Sequence, residues 1–143
     1  MRKQDIEFIK RHEGCRLKAY RCPANKLTIG YGHTGIDVKE GMTITQAEAD
    51  RLLVKDLDKF EKYVKDATKG VDLNENQFAA LVSFTYNVGP KNFGNSTLLR
   101  RIKANSNDPD IVNQFRRWNK AGTSVLPGLV RRREEEAKLY FAK

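Results

Sequence analysis

Residues 12–33, "HEGCRLKAYRCPANKLTIGYGH", contain both cysteines and both histidines of the chain. Within it "RLKAYR" and "LTIGYGH" alternate apolar and polar side chains, and "CPANK" between them holds a proline and an asparagine, which favour turns. This pattern predicts a β-hairpin. Ile6 and Ile9 predict a short helix before it. Gly14 is a natural end for that helix, so we expect Glu13 at its C-terminus.

The remainder of the chain has the spacing of helices. Thr45 and Glu48 form a T-x-x-E capping box, after which apolar residues recur at steps of four and three as far as Gly70. Segment 33–44 lacks any periodicity and predicts a loop. Further helices, with no strand among them, are predicted after Asn74, Ser96, Asp108 and Pro127, with ends at Gly89-Pro90 and Gly122.

These elements predict an α+β fold that is mostly helical and forms one domain. An N-terminal lobe with the hairpin is expected over about residues 1–45, and a long connecting helix over about 46–69. A helical C-terminal lobe is expected over about 70–143. A chain of 143 residues is long enough to bury the core that such a domain needs.

The composition is that of a basic globular domain. Hydrophobic residues make up 39% and charged residues 31%, with a mean hydropathy of −0.66. The 27 Lys and Arg against 18 Asp and Glu give a net charge of +9, which attracts polyanions without choosing among them. We find neither an apolar run that could span a membrane nor a signal region. We therefore expect synthesis in the cytoplasm without an export signal.

The histidines and cysteines of residues 12–33 allow more than one kind of site. A zinc site from His12, Cys15, Cys22 and His33 would have the spacing H-x2-C-x6-C-x10-H, which matches no common structural zinc pattern. A Cys15–Cys22 disulfide is sterically feasible, but a reducing cytosol disfavours it. We expect Cys15 to be a small buried residue in the core. Glu13 is either a surface carboxylate or, where half-buried, a general acid.

Nucleic-acid binding is the alternative function that the basic charge suggests. Arg100-Arg101, Arg116-Arg117 beside Trp118, and residues 131–133 are the arginine clusters of the C-terminal half. They are spread over several predicted helices, however, and "RRREEE" is largely neutralised within one helix. A cationic surface suits an enzyme that acts on an anionic envelope equally well.

The order Glu13, eight residues, Cys22, five residues, Thr28 resembles the catalytic signature of the phage-type lysozymes, glycoside hydrolase family 24. Aspartate or cysteine occupies its second position, so this chain resembles the cysteine variants. The resemblance continues through "IGYGHT", "FAALVSFTYNVG", "STLLRRI", "FRRWNKAG" and "LPGLVRRREEE". It implies a lysozyme-like fold and hydrolysis of the β-1,4 bond between N-acetylmuramic acid and N-acetylglucosamine in peptidoglycan, without metal or cofactor.

The resemblance also implies the catalytic roles. Glu13 would protonate the leaving glycosidic oxygen, and Cys22 would either activate a water or act as the nucleophile. Thr28 would hold the water or the sugar. Basic neighbours of Cys22 are expected to lower the pKa of its thiol, namely Arg16, Lys18 and Arg21.

The remaining implied residues are structural or bind the saccharide. His33 would form a structural pair with Asp56, while Tyr86 and Ser96 would line the saccharide site. For Tyr86, core packing is an equally good interpretation. As an endolysin of a phage or prophage, the chain would be a monomer that stays in the host cytoplasm until lysis. A holin-type pore would then give it access to the periplasm and the cell wall.

Overall fold

The computed structural model describes residues 1–143, which form two compact units, Met1–Lys59 and Phe60–Lys143. The first unit begins with helix α1, Lys3–Glu13, which Gly14 ends with a φ of +68°. Strands β1, Arg16–Arg21, and β2, Leu27–Gly30, follow as the antiparallel hairpin predicted from the sequence.

The loop predicted over residues 33–44 is partly wrong. His33–Thr34 form a third strand, β3, which pairs with β2, and Thr43 bridges to Lys18 on the other edge of β1. A strand of two residues is too short to show an alternating pattern. Both edges of the hairpin are therefore covered by the segment that follows it.

Helix α2, Gln46–Ala67, is the long helix that the sequence predicted. The capping box at its start is confirmed, because the Glu48 amide donates to Thr45 Oγ1 at 3.1 Å and the Thr45 amide donates to Glu48 Oε1 at 3.2 Å. The apolar face of α2 and the hairpin bury the core of the first unit, which includes Ile9, Ile29, Ile44, Leu53 and Leu57.

The second unit is helical apart from one small hairpin. The helices are α3, Glu75–Val88; α4, Pro90–Gly94; α5, Thr97–Ala104; α6, Ile111–Arg116; and α7, Pro127–Tyr140. No helix in the chain combines the length and apolar character needed to cross a bilayer. Asn74 and Gln77 form a capping box at the start of α3.

Strands β4, Lys120–Ala121, and β5, Ser124–Val125, correct the prediction of helices alone in this part of the chain. Helix α6 ends at Arg116, and Gly122, expected to end that helix, instead forms the hairpin turn with a φ of +63°. Both strands are exposed, so no buried face imposes the alternation that reveals a strand.

The core of the second unit contains an aromatic cluster and an ionic one. Phe84 contacts the rings of Phe93, Phe115 and Trp118 edge-on, with centroids 5.6–6.1 Å apart. The pairing expected within "RRREEE" is present but lies in the core. Its members are Arg132, Arg133 and Glu136, all at most 3% exposed.

Candidate active site

Glu13 is the last residue of α1 and is half-buried. Gly14 can adopt its positive φ without a Cβ clash, and the chain leaves the helix there and enters β1. The carboxyl group is therefore attached to the end of a regular helix, which limits its backbone motion.

Cys22 lies in the turn of the hairpin, directly after β1. Its amide donates to the Lys26 carbonyl at 3.0 Å, and its own carbonyl accepts from the Asn25 amide at 2.8 Å. The thiol is free and half-exposed. Hydrogen bonding from the Lys26 backbone lowers the pKa of the Cys22 thiol below its usual value, and Thr28 adds to that effect.

The arginines expected to activate Cys22 have other partners. Arg21 donates to the Asn25 carbonyl and to Glu40, each at 3.1 Å, and the Arg16 guanidinium lies 4.1 Å from the centroid of the Tyr20 ring. The lowered pKa of the Cys22 thiol comes mainly from hydrogen bonds in the turn, above all from the Lys26 backbone, and not from Arg16 or Arg21 as expected.

Thr28 is the buried neighbour of Cys22. It lies on β2, is 3% exposed, and its Oγ1 donates to the Lys26 carbonyl at 3.0 Å. It pairs with Tyr20 on one side and with Thr34 on the other. The fold thus brings Cys22 and Thr28 together at the turn, six residues apart in sequence.

Cys15 is not the shielded core residue that the sequence suggested. It is half-exposed, and its Sγ lies 3.9 Å from Oε1 of Gln46, the first residue of α2. The reason is its place in the short connection between α1 and β1, which runs outside the core. Both cysteines are free thiols, and no group of three or more potential ligands that could hold a metal ion is present.

His33 lies between two carboxylates. Its Nδ1 is 2.7 Å from Asp56 Oδ2, and its Nε2 is 3.0 Å from Asp37 Oδ2. Asp37 was not predicted from the sequence, although its place four residues after His33 in "HTGID" was a usable signal. Burial acts to lower the pKa of His33, but the hydrogen bonds to Asp56 and Asp37 outweigh it and raise this pKa.

Asp56→Asn is expected to destabilise the fold by roughly 1.5–3 kcal/mol at acidic pH, as for hydrogen bonds to charged groups. Because the pKa of His33 is raised in the folded state, the stabilisation is complete below the unfolded value near 6.5 and is lost as pH rises through the folded value. Unfolding by urea at several pH values measures the effect. A His33 pKa at or below the unfolded value, by NMR titration, would contradict this account.

Tyr86 and Ser96 belong to the second unit. Tyr86 on α3 is half-buried and packs edge-on against Phe60, with ring centroids 5.0 Å apart. Ser96 is the N-cap of α5: its Oγ donates to the Phe93 carbonyl at 2.6 Å and accepts from the Leu99 amide at 3.0 Å. The Ser96 hydroxyl is thus used in capping.

Ser96 also borders a pocket that the sequence did not reveal. The pocket has a volume of about 300 Å³ and lies within the second unit. Its lining mixes an amide, a guanidinium and an indole, which are groups that bind polar ligands, and consists of Asn95, Ser96, Thr97, Gln114, Arg117 and Trp118.

Residues 10–136 match the phage lysozyme family, and the chain belongs to that family. It is 41% identical over 136 residues to the endolysin of Salmonella phage P22, covering 92% of both proteins. It is 45% identical over 138 residues to the endolysin of Bacillus phage B103, covering 95% of this chain and 52% of that protein. The chain therefore spans about half the length of this Bacillus phage relative.

Solved structures show the same relationship. The muramidase domain of SpmX from Asticaccaulis excentricus superposes with a TM-score of 0.91 at 35% identity, covering 99% of this chain and 97% of that one. A mutant P22 lysozyme gives 0.84 at 36% identity, covering 99% and 98%. The mostly helical, lysozyme-like α+β fold is confirmed. The proteins named here are endolysins, lysozymes or muramidases, which gives the nucleic-acid-binding alternative no support.

Proposed function

We propose that the chain is an endolysin-type muramidase that hydrolyses the β-1,4 bond between N-acetylmuramic acid and N-acetylglucosamine. The observation that carries the proposal is the placement of Glu13, Cys22 and Thr28 in the first unit. A half-buried carboxyl group ends α1, and a thiol with a lowered pKa contacts a buried hydroxyl in the hairpin turn. Belonging to the phage lysozyme family supports the substrate class.

The reaction needs an acid and a second group. Glu13 gives its proton to the glycosidic oxygen as the bond from that oxygen to the anomeric carbon breaks. In one route, the Cys22 thiolate takes a proton from a water that adds to the anomeric carbon. In the other, the Cys22 sulfur itself bonds to that carbon, and water later displaces it while Glu13 accepts the proton. Thr28 holds the attacking water in both routes.

The lowered pKa of Cys22 makes the thiolate route physically reasonable. An unperturbed thiol is only a few per cent ionised at neutral pH. Hydrogen bonds from the turn to the thiolate increase that fraction. The stereochemistry of the released sugar separates the two routes, since direct attack by water inverts the anomeric centre and a covalent intermediate retains it.

Loss of turbidity by outer-membrane-permeabilised Gram-negative cells tests the activity. We expect wild type to clear such cells, and any shift of DNA by the same preparation to be non-specific and to weaken steeply as salt is added, because it comes from the basic charge alone. A preparation that shifts DNA but leaves the cells turbid would overturn the proposal in favour of nucleic-acid binding.

Cys22→Ser is expected to lower the hydrolysis rate at least about tenfold, because a hydroxyl is a much weaker base and nucleophile than a thiolate. Cys22→Asp should retain substantial activity, because a carboxylate restores a base in the turn. Cys15→Ala is the matched control, since it removes the other half-exposed thiol and should leave the rate unchanged. A Cys22→Ser variant as active as wild type would make the thiol a bystander.

We further propose that peptidoglycan is reached from the host cytoplasm through a holin-type pore, and that the enzyme acts as a monomer. Expression in Gram-negative cells should then leave growth intact until a pore-forming protein is co-expressed. Lysis without such a protein would refute the dependence on a pore. A mass near 33 kDa by light scattering, twice the 16.4 kDa of the chain, would show a dimer and refute the monomeric state.

We propose that Tyr86 and Ser96 line the saccharide site with different roles. The half-buried Tyr86 ring offers a surface on which a sugar can stack. The Ser96 hydroxyl is hydrogen-bonded to the backbone, so Ser96 contributes to the site by fixing the start of α5. Tyr86→Ala should therefore weaken the binding of a soluble chitooligosaccharide more than Ser96→Ala does. A larger loss of affinity in Ser96→Ala would contradict these roles.

A further inference from the structure

The second nitrogen of His33 has a partner that the structural pair with Asp56 does not require. Both oxygens of Asp37 lie within 3.1 Å of His33 Nε2, while Nδ1 faces Asp56. A neutral imidazole carries one N–H and can donate to only one of these carboxylates. Both carboxylates can accept a hydrogen bond from the ring only when both ring nitrogens carry a proton. The arrangement therefore requires the charged imidazolium form of His33.

Gly35 leaves the space in which Asp37 reaches His33. A Cβ at this position would lie 2.5 Å from Asp37 Oδ1 but 3.7 Å from His33 Nε2, which is an ordinary contact. The Val38 amide donates to the Gly35 carbonyl at 3.2 Å, and the Val38 side chain is buried. The turn is thus anchored on its far side, and a methyl group at residue 35 would displace only the carboxylate.

His33 is also a direct neighbour of the strand that carries Thr28. In the β2–β3 ladder His33 pairs with Ile29, and Thr34 pairs with Thr28. Strand β3 has only two residues, so few backbone hydrogen bonds hold it. Its position against β2 therefore depends strongly on what holds the His33 side chain.

We propose that Asp37 is a positioning residue that, through a protonated His33, holds β3 in register and so fixes Thr28 beside Cys22. The catalytic part of this inference rests on the proposed function. We call the contact of Asp37 with the His33 Nε2 the outer clamp. It should hold while His33 is charged and be released as that charge is lost.

The charged groups around the ring support a clamp that depends on pH. Asp37 faces His33 from the turn, Asp56 faces it from α2, and Lys55 on α2 acts on Asp37. The hydrogen bond to His33 lowers the pKa of Asp37, and Lys55 adds a smaller effect in the same direction. Asp37 therefore stays ionised at neutral pH, and the proton on His33 is what the clamp loses as pH rises through the raised pKa.

Asp37→Asn tests the proposal through His33 and Thr28 directly. We expect its His33 pKa, by NMR titration, to fall below that of wild type, and the amide signals of Thr28 and Thr34 to shift. The hydrolysis rate on peptidoglycan should fall about three- to fivefold, the scale of a partly exposed ion pair. The alkaline decline of the rate should also move to lower pH, while Asp37→Glu should restore both readouts in part.

Gly35→Ala breaks the clamp without removing a charge. It should shift the Thr28 and Thr34 signals as Asp37→Asn does, with a smaller fall in the His33 pKa because the Asp37 charge remains nearby. The double variant should not exceed Asp37→Asn, because both changes remove one contact. Asp58→Asn is the matched control, since it removes an exposed carboxylate from α2 and should change neither readout. Unchanged Thr28 and Thr34 signals in Asp37→Asn, or fully additive effects in the double variant, would overturn the inference.

The NMR and activity measurements test the clamp and the proposed function independently of each other. If Asp37→Asn shows the His33 and Thr28 shifts but wild type does not degrade peptidoglycan, the proposed function is refuted and the clamp stands. Active wild type whose pH profile is unaltered by Asp37→Asn would refute the positioning role and leave the proposed function standing.

Discussion

Glu13→Gln is expected to lower the rate of peptidoglycan hydrolysis about 10²–10⁴-fold, the usual contribution of a general acid. Glutamine keeps the size of the side chain and its hydrogen-bonding capacity but cannot release a proton to the glycosidic oxygen. Because Glu13 ends a helix and is only half-buried, the melting temperature should hardly change. Turbidity loss and thermal unfolding, measured on the same preparation, check both expectations.

Glu7→Gln is the control for that experiment. It makes the same chemical change on the same helix, at an exposed residue that pairs with Lys10. Its activity should match that of wild type. A Glu13→Gln variant that keeps more than a few per cent of the rate would place the proton donor elsewhere.

Glu136→Gln is expected to cost about 3–5 kcal/mol of the free energy of unfolding, as when one partner of a buried ion pair is removed. Glu136 is fully buried and lies within 3.2 Å of guanidinium nitrogens of both Arg132 and Arg133. It also accepts from Ser83 Oγ at 2.6 Å. Burial raises the pKa of Glu136, and the two arginines oppose that shift. The variant removes a buried negative charge from beside two buried cations.

Glu134→Gln on the same helix provides the comparison. Glu134 is partly exposed and pairs with Arg116 at the surface, so its loss should cost less than about 1 kcal/mol. Urea unfolding of both variants at pH 7 measures the difference. Equal costs for the two would mean that the buried cluster contributes no more than a surface pair.

The main helices could be predicted from the sequence because their signals are local. Thr45 and Glu48 form the predicted capping box, and α3 begins after Asn74 as predicted, with Gln77 completing a second capping box. Gly14 and Gly70 follow α1 and α2 with positive φ angles. The antiparallel pair β1–β2 was visible for the same reason, since its alternation and its turn lie within 15 residues.

The features that the sequence did not reveal depend on contacts between distant residues or on very short elements. Glu136 and Ser83 are 53 residues apart, so nothing local shows that the charges of α7 are buried. Strands β3, β4 and β5 have two residues each, below the length at which periodicity carries information. Cys15 was misplaced because its exposure depends on the path of the chain between α1 and β1.

The candidate site was also only partly predictable from the sequence. The spacing of Glu13, Cys22 and Thr28 could be read from the sequence, but the origin of the lowered pKa of Cys22 could not, because backbone amides of a turn cause it. Arg16 and Arg21, nearby in sequence, were the obvious candidates, and both contact other groups. Asp37 is close to His33 in sequence, but only the fold shows that its carboxylate contacts the ring.

Mass spectrometry of the products released from purified peptidoglycan identifies the bond that the enzyme cleaves. After borohydride reduction, we expect disaccharide–peptide fragments that end in reduced N-acetylmuramic acid, from wild type and not from Glu13→Gln. Fragments that end in reduced N-acetylglucosamine, cleavage only within the peptide, or no soluble product from folded wild type would contradict it.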